Sequence, residues 1–284
     1  MKNTAILLIS CPDQKGIVAT LSDFVFRHNG NILHADEHAD EGSNLFLMRV
    51  EFDPTDFDIN LADFSKHFSP IAEKFAMRWR LARSNVRQKM AILVSKYDHC
   101  LVDLLYRHKS GELACDIPLV ISNHPDNGPI ADFYRIPFFV VPVSKDNKSE
   151  AEQKILGLLK QHDPDFIVLA RYMQILSNQF VNEYPHRIIN IHHSFLPAFV
   201  GAKPYHQAFT RGVKLIGATS HYVTDVLDDG PIIEQDVVRI SHRDSLDDLL
   251  QKGRDLEKVV LSRAVRWHIE NRVLLYGNKT VVFD

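Results

Sequence analysis

Asp165-Phe166-Ile167-Val168-Leu169-Ala170 is the stretch from which the fold is read. Phe166 through Ala170 run on without the polar residue at every second position that a half-exposed strand carries. A short unbroken apolar run between polar turns fits a strand buried on both faces, the kind found inside parallel sheets. Comparable strand-like runs lie at 90–95, 117–122, 137–141, 188–191 and 215–223. Helical patterns at 99–108, 127–134 and 149–162 separate the first of them. Strands alternating with helices predict a doubly wound, mostly parallel α/β sheet. In such sheets ligands bind beyond the carboxyl ends of the strands.

Upstream of residue 90 the order changes to strand, helix, strand, strand, helix, strand. Residues 5–10 are a short apolar strand broken by Pro12 and Asp13, and Asp13 is the expected N-cap of the helix that follows. Ile17, Leu21, Phe24 and Val25 recur at helical spacing, and Asn29-Gly30 ends that helix. Strands are expected at 31–38 and 44–53, joined through Asp40-Glu41-Gly42, then a helix at 61–75 and a strand at 76–83. This βαββαβ order predicts a ferredoxin-like antiparallel sheet with two helices on one face. Residues 80–89 are rich in Arg and hold no acidic residue. A boundary near residue 85 divides the chain into domains 1–85 and 86–284.

Composition narrows the function. The 284 residues carry 33 Lys plus Arg and 36 Asp plus Glu, a formal charge of −3. A general nucleic-acid binder would show a basic excess, so none is expected as a partner. No apolar run approaches the ~20 residues of a membrane span, and residues 1–10 lack the features of a signal peptide. Three cysteines, Cys11, Cys100 and Cys115, without CxxC spacing fit a reducing cytoplasm better than a disulfide framework.

The chemistry concentrates between 186 and 231. In RIINIHHSFLPAF (187–199), Asn190 and His192 lie two apart at the end of an extended run, so their side chains share a face. An amide donor beside an imidazole suits carbonyl chemistry, the one donating to an oxyanion and the other moving a proton. Spacing alone equally allows both to satisfy backbone groups of the turn. In GATSHYVTDVLDDGPII (217–233) a strand runs into an acidic turn with Asp225, Asp228 and Asp229. A carboxylate near an imidazole orients it and favours its charged form, although such a turn also exists simply as a solvated loop. His186, His192, His193, His206 and His221 cluster here, but their spacing fits no zinc pattern and no metal is expected. His34-Ala35-Asp36-Glu37-His38 matches H-x-x-E-H, whose zinc chemistry needs a helix. Here the segment reads as a strand.

The two segments together resemble the folate-dependent formyltransferases. That family's N-I-H-x-S-x-L-P stands here as Asn190-Ile191-His192-His193-Ser194-Phe195-Leu196-Pro197, and its D-x-L-D-x-G-P as Asp225-Val226-Leu227-Asp228-Asp229-Gly230-Pro231. The resemblance spans roughly 90–284 and implies Asn190, His192 and Asp228 as the catalytic group. Leu169-Ala170-Arg171-Tyr172-Met173-Gln174-Ile175-Leu176-Ser177 resembles the family's pterin pocket. Met173, Ile175, Leu176, His193, Val223 and Gly230 are the substrate-binding residues expected from it. Residues 1–85 resemble an ACT domain, with Pro12-Asp13-Gln14-Lys15-Gly16 at its start and Gly30-Asn31-Ile32 at the turn into its second strand.

An ACT-like part ahead of a formyltransferase-like part, with Gly201-Ala202-Lys203-Pro204-Tyr205-His206-Gln207-Ala208, resembles the hydrolytic branch of the family. The implied reaction converts 10-formyltetrahydrofolate to formate and tetrahydrofolate, with the folate as substrate and no cofactor. A transferase using a sugar-phosphate amine needs a phosphate cradle, usually a Gly-rich loop after the first strand. Here that loop is Ser95-Lys96-Tyr97-Asp98-His99-Cys100, without glycine. Formyl transfer to an amine such as glycinamide ribonucleotide is the alternative, and a non-catalytic folate or amino-acid sensor is a third reading. His193 stands where the amine-using relatives usually carry Pro, and either places the water or supports its neighbours. The ACT resemblance implies a small amino-acid effector at Asp13 and Gly16, and a homo-oligomer.

Overall fold

The computed structural model describes residues 3–198 and 204–284. By its contacts the chain divides into two compact units: residues 1–87 with 270–284, and residues 88–269.

The first unit begins β1 (Ala5–Pro12), α1 (Ile17–Arg27), β2 (Asn31–Asp40), β3 (Leu45–Asp53), α2 (Phe64–Lys74) and β4 (Arg78–Arg83). The strands pair antiparallel in the order β2-β3-β1-β4, the ferredoxin-like arrangement expected from the βαββαβ order. Ile17, Leu21, Phe24 and Val25 are the buried residues of α1, as their spacing predicts. Phe24, Phe52, Phe64, Phe68 and Trp79 meet edge-on or stacked within its core. The helix does not start at Asp13. Its N-cap is Gly16 at φ 92, a left-handed conformation that glycine adopts without strain. Asp13 instead continues off the sheet, its N–H bonded to the Asn44 carbonyl. His34 and His38 lie on strand β2, so the helical face that H-x-x-E-H zinc chemistry requires is absent there.

The second unit comprises β5 (Lys89–Val94), α3 (His99–Ser110), β6 (Asp116–Ser122), α4 (Gly128–Tyr134), β7 (Phe138–Val140), α5 (Lys148–His162), β8 (Phe166–Ala170), α6 (Asn178–Glu183), β9 (Ile188–His192), α7 (Pro204–Arg211), β10 (Leu215–Tyr222), β11 (Ile232–Arg239) and α8 (Leu246–Ile269). Its sheet has the order β11-β10-β9-β8-β5-β6-β7. The strands from β9 to β7 are parallel, and β10 and β11 add an antiparallel edge. Every residue of β8 is buried, as its unbroken apolar run requires. Ala91 and Leu93 pack under α5, while Met90, Ile92 and Val94 are fully buried on the other face. The chain runs from β5 outward to β7, then returns to β8 and runs the other way. The crevice between the carboxyl ends of β5 and β8 is therefore the topological switch point, the expected ligand position. Ser95 ties it together: its Oγ donates to Asn123 Oδ1 and accepts from the Met173 N–H at 2.9 Å.

The hairpin β12 (Val273–Tyr276) and β13 (Lys279–Val282) closes the chain. The sequence boundary assigned all of 86–284 to one domain, but residues 270–284 cluster with the first unit. The cause is a set of polar contacts that only folding brings together. Arg49 is buried and donates to the Asn271 carbonyl, Arg80 donates to Asn271 Oδ1, and Lys279 pairs with Asp40 at 3.4 Å.

Phe68 is fully buried in the aromatic core of the first unit. Phe68→Ala is expected to lower the unfolding free energy by about 3–5 kcal/mol, measured by urea denaturation. A loss below about 1 kcal/mol would show that this core does not hold the unit together.

Candidate active site

The site is assembled by the pairing of β9 with β10. In that antiparallel register Asn190 lies opposite His221 and His192 opposite Thr219. Residues directly opposite, and residues two apart on one strand, share a sheet face. Asn190, His192, Thr219 and His221 therefore form one patch at the end of β9. Thr219 secures the turn that follows: its Oγ1 donates to the Ser194 carbonyl at 2.8 Å and accepts from the Leu196 N–H at 3.1 Å. The loop after β10 returns Asp228 to this patch, with Asp228 in a left-handed conformation at φ 55.

His192 Nδ1 lies 3.3 Å from Asp228 Oδ1. Its Nε2 is buried and has no hydrogen-bond partner among the described residues. The carboxylate thus faces Nδ1–H, which leaves Nε2 available whether the ring is neutral or protonated. Burial opposes ionisation of Asp228, but the hydrogen bond to His192 and the surrounding imidazoles outweigh it and hold the carboxyl below its usual range. His221 is neutral, because burial pushes its pKa down. Its Nδ1 lies 3.0 Å from the Tyr222 carbonyl, which can only accept, so Nδ1 carries the hydrogen. Nε2 is then a lone pair, and the Asn190 amide donates to it at 3.2 Å. This contact orients Asn190 and leaves its second N–H free.

A cavity of about 350 Å³ opens onto these groups. Asn190, His192 and Asp228 line it together with Met173, Ile175, Leu176, His193 and Val223. Met173, Ile175, Val226 and Leu227 are at least half exposed there, an apolar wall suited to a flat organic ligand. Gly230 is the expected substrate residue that falls outside it. A side chain at Gly230 would come within 1.7 Å of the Tyr222 carbonyl, so the glycine lets the loop close against β10. Phe199 and 201–203, from the sequence motifs, lie outside the described residues.

Sequence reasoning did not foresee the role of His221, although it stands inside the second motif. It also missed a buried polar cluster behind His193. Glu257 of α8 bonds His99 Nε2 at 2.8 Å and the Tyr205 hydroxyl at 2.8 Å, and faces Arg171 Nε at 3.4 Å. Burial works against its ionisation, but the His99 hydrogen bond and the Arg171 charge outweigh it. A side chain at Gly253, one turn earlier on α8, would strike the Tyr205 ring at 2.3 Å. His99, Cys100 and Glu257 place three candidate metal-ligand atoms within 4.8 Å of one another. Glu257 is already committed to His99, Tyr205 and Arg171, and burial holds the Cys100 thiol well above its usual pKa. This is the chemistry of a closed ion-pair cluster.

A family model described as formyl transferase matches residues 88–265. The formyltetrahydrofolate deformylase of Synechocystis sp. is 56% identical, over 99% of this chain and 98% of that protein. The protein of the same description from Bacillus subtilis is 50% identical, over 98% and 93%. The crystal structure of a formyltetrahydrofolate deformylase from Pseudomonas syringae pv. tomato matches at TM-score 0.98 and 52% identity, over 100% of this chain and 95% of that one. Glycinamide ribonucleotide transformylase 1 from Symbiobacterium toebii matches at TM-score 0.66 and 27% identity, over 70% of this chain and 95% of that one.

The buried imidazoles predict a pH effect on stability. Burial, with the nearby Arg171 charge, lowers the His193 pKa from 6.5 to about 3, and His221 is lowered too. Between those values the unfolded state binds more protons, so stability falls as pH drops from about 6.5 toward 3 and is fully present above that window. The melting temperature should fall across that range, and His193→Gln should flatten the slope. An unchanged slope would mean that His193 is not buried neutral.

Proposed function

The chain belongs to the formyltetrahydrofolate deformylases, and from that premise we propose that it hydrolyses 10-formyltetrahydrofolate to formate and tetrahydrofolate at the Asn190–His192–Asp228 patch. The observation that carries this reading is His192 itself, held by Asp228 at Nδ1, with a buried Nε2 that has no hydrogen-bond partner among the described residues, in the wall of a largely apolar cavity. The transformylase likeness, at 27% identity over 70% of the chain, gives weaker support to formyl transfer.

The pterin lies against Met173, Ile175 and Leu176, and the formyl group reaches the patch. Water adds to the formyl carbon, and the oxyanion accepts hydrogen bonds from the free Asn190 N–H and from His192 Nε2–H. One such donor is worth about 3–4 kcal/mol of barrier. Asp228 stabilises positive charge on His192 through one oxygen, while its second oxygen accepts the proton of the attacking water and passes it to solvent. As the carbon–nitrogen bond breaks, His192 gives its Nε2 proton to the departing nitrogen. The formic acid so formed ionises and returns a proton to His192. His193, neutral beside His192, places the water.

The same reading makes the first unit an ACT-type regulatory module in a cytoplasmic homo-oligomer. Its β2-β3-β1-β4 sheet and the turn Asp13–Gly16 ahead of α1 support a small amino acid as effector. Cys11, Cys100 and Cys115 are buried and form no disulfide among the described residues, in keeping with a reducing compartment.

The direct experiment follows formate release from 10-formyltetrahydrofolate by the purified protein, with and without glycine or methionine. His192→Ala or Asp228→Asn should lower turnover by about 10²–10⁴-fold with folate affinity nearly unchanged. Rates like those of the wild type in either variant remove the assignment. His221→Ala should lower kcat by about 10²-fold through loss of Asn190 orientation, again with little change in KM. A change confined to KM would make His221 part of the folate wall only.

A further inference from the structure

The folate cavity has a neighbour. A second cavity of about 250 Å³ shares Arg171, Met173 and His193 with it, so these three side chains divide the two. Beside the shared Arg171, the second space is lined by Arg254 at its rim, by His99 and His206, and by Glu257, in place of the exposed Ile175, Val226 and Leu227 of the first.

Arg171 is built in. Its side chain is 9% exposed, it stands in a left-handed conformation at φ 61, and Tyr97 lies against its guanidinium at 5.3 Å. It faces Glu257 at 3.4 Å, yet its Nε makes no hydrogen bond among the described residues. The same carboxylate accepts from the Tyr205 hydroxyl and bonds His99 Nε2. A buried polar group without a hydrogen-bond partner calls for an explanation. A small planar anion is the partner a guanidinium edge fits best.

We propose that this second cavity receives the formate product, whose carboxylate accepts hydrogen bonds from Arg171. The proposal rests on the deformylase reading. It follows from where each fragment can go: the pterin and its substituents occupy the apolar cavity, and the one-carbon fragment is freed at the Asn190–His192 patch, next to the His193 that borders both cavities. Moving the carboxylate to Arg171 separates it from the amine it has just left. With formate and folate in different cavities, both can be bound at once.

The test uses the full-length enzyme. Initial rates are measured over a range of 10-formyltetrahydrofolate concentrations with added sodium formate, against sodium chloride at equal ionic strength. Formate should lower Vmax and leave KM unchanged, with no such effect of chloride. Arg171→Met should raise the formate inhibition constant at least about tenfold, the loss of a hydrogen bond to a charged group, and Arg171→Lys should restore part of it. Arg171→Met leaves a buried carboxylate exposed to repacking, so the exposed Arg254→Gln serves beside it and should raise the constant about two- to threefold. Saturation transfer from the enzyme to 13C-formate reads binding without turnover and should vanish in Arg171→Met. Purely competitive inhibition would overturn the proposal by placing formate in the formyl position of the folate cavity. So would an inhibition constant unchanged in both arginine variants, or neither inhibition nor saturation transfer in the wild type. Failure of the wild type to release formate from the folate would remove the deformylase reading, which saturation transfer does not depend on.

Discussion

The site depends on the register between β9 and β10. That register sets Asn190 opposite His221 and His192 opposite Thr219, so four polar side chains from two strands face one way. A slip of one residue would turn them to the other side of the sheet. The antiparallel edge matters for the same reason. Because β10 runs back along β9, its far end lies beside the catalytic strand, and the following loop needs only a few residues to bring Asp228 within 3.3 Å of His192.

The remaining architecture holds that edge in place and aims it at a crevice. Of the five parallel strands, β9, β8, β5 and β6 bury their apolar runs on both faces, and the order leaves a switch point between β5 and β8. Ser95 closes the crevice from one side with bonds to Asn123 and Met173. On the other side α8 packs over β9, β10 and β11 and supplies Glu257, which draws His99, Tyr205 and Arg171 into one buried cluster. Two imidazoles at the site are held neutral by burial while one is left next to a carboxylate. That contrast sets three neighbouring histidines in three different surroundings: His192 against the Asp228 carboxylate, His221 against the Asn190 amide, and His193 buried and neutral.

Much of this was legible in the amino-acid order because its signals are local. Unbroken apolar runs announce buried strands, and β8 is buried throughout. The spacing of Ile17, Leu21, Phe24 and Val25 announces the inner face of α1. Asn190 and His192 share a face by the two-residue strand repeat, whatever lies beside them. What was not legible depends on partners distant in the chain. The tie from Asn190 to His221 exists only once the strand register is known. The Glu257 cluster joins α3, the end of β8, α7 and α8, and no periodic pattern links them. The closing hairpin turns back to the first unit through Arg49, Arg80 and Lys279, contacts that composition cannot announce. The N-cap at Gly16 in place of Asp13 is a finer case, because a side chain that can cap was outcompeted by a left-handed glycine three residues on.

The central claim is that the amide of Asn190 and the free nitrogen of His192 receive the formyl oxygen. A crystal structure of the protein with a hydrolytically inert 10-formylfolate analogue tests it most directly. The account predicts the formyl oxygen within about 3.2 Å of both Asn190 Nδ2 and His192 Nε2, with the pterin against Met173, Ile175 and Leu176. An analogue bound with its formyl group away from β9, or out of reach of both donors, would contradict it.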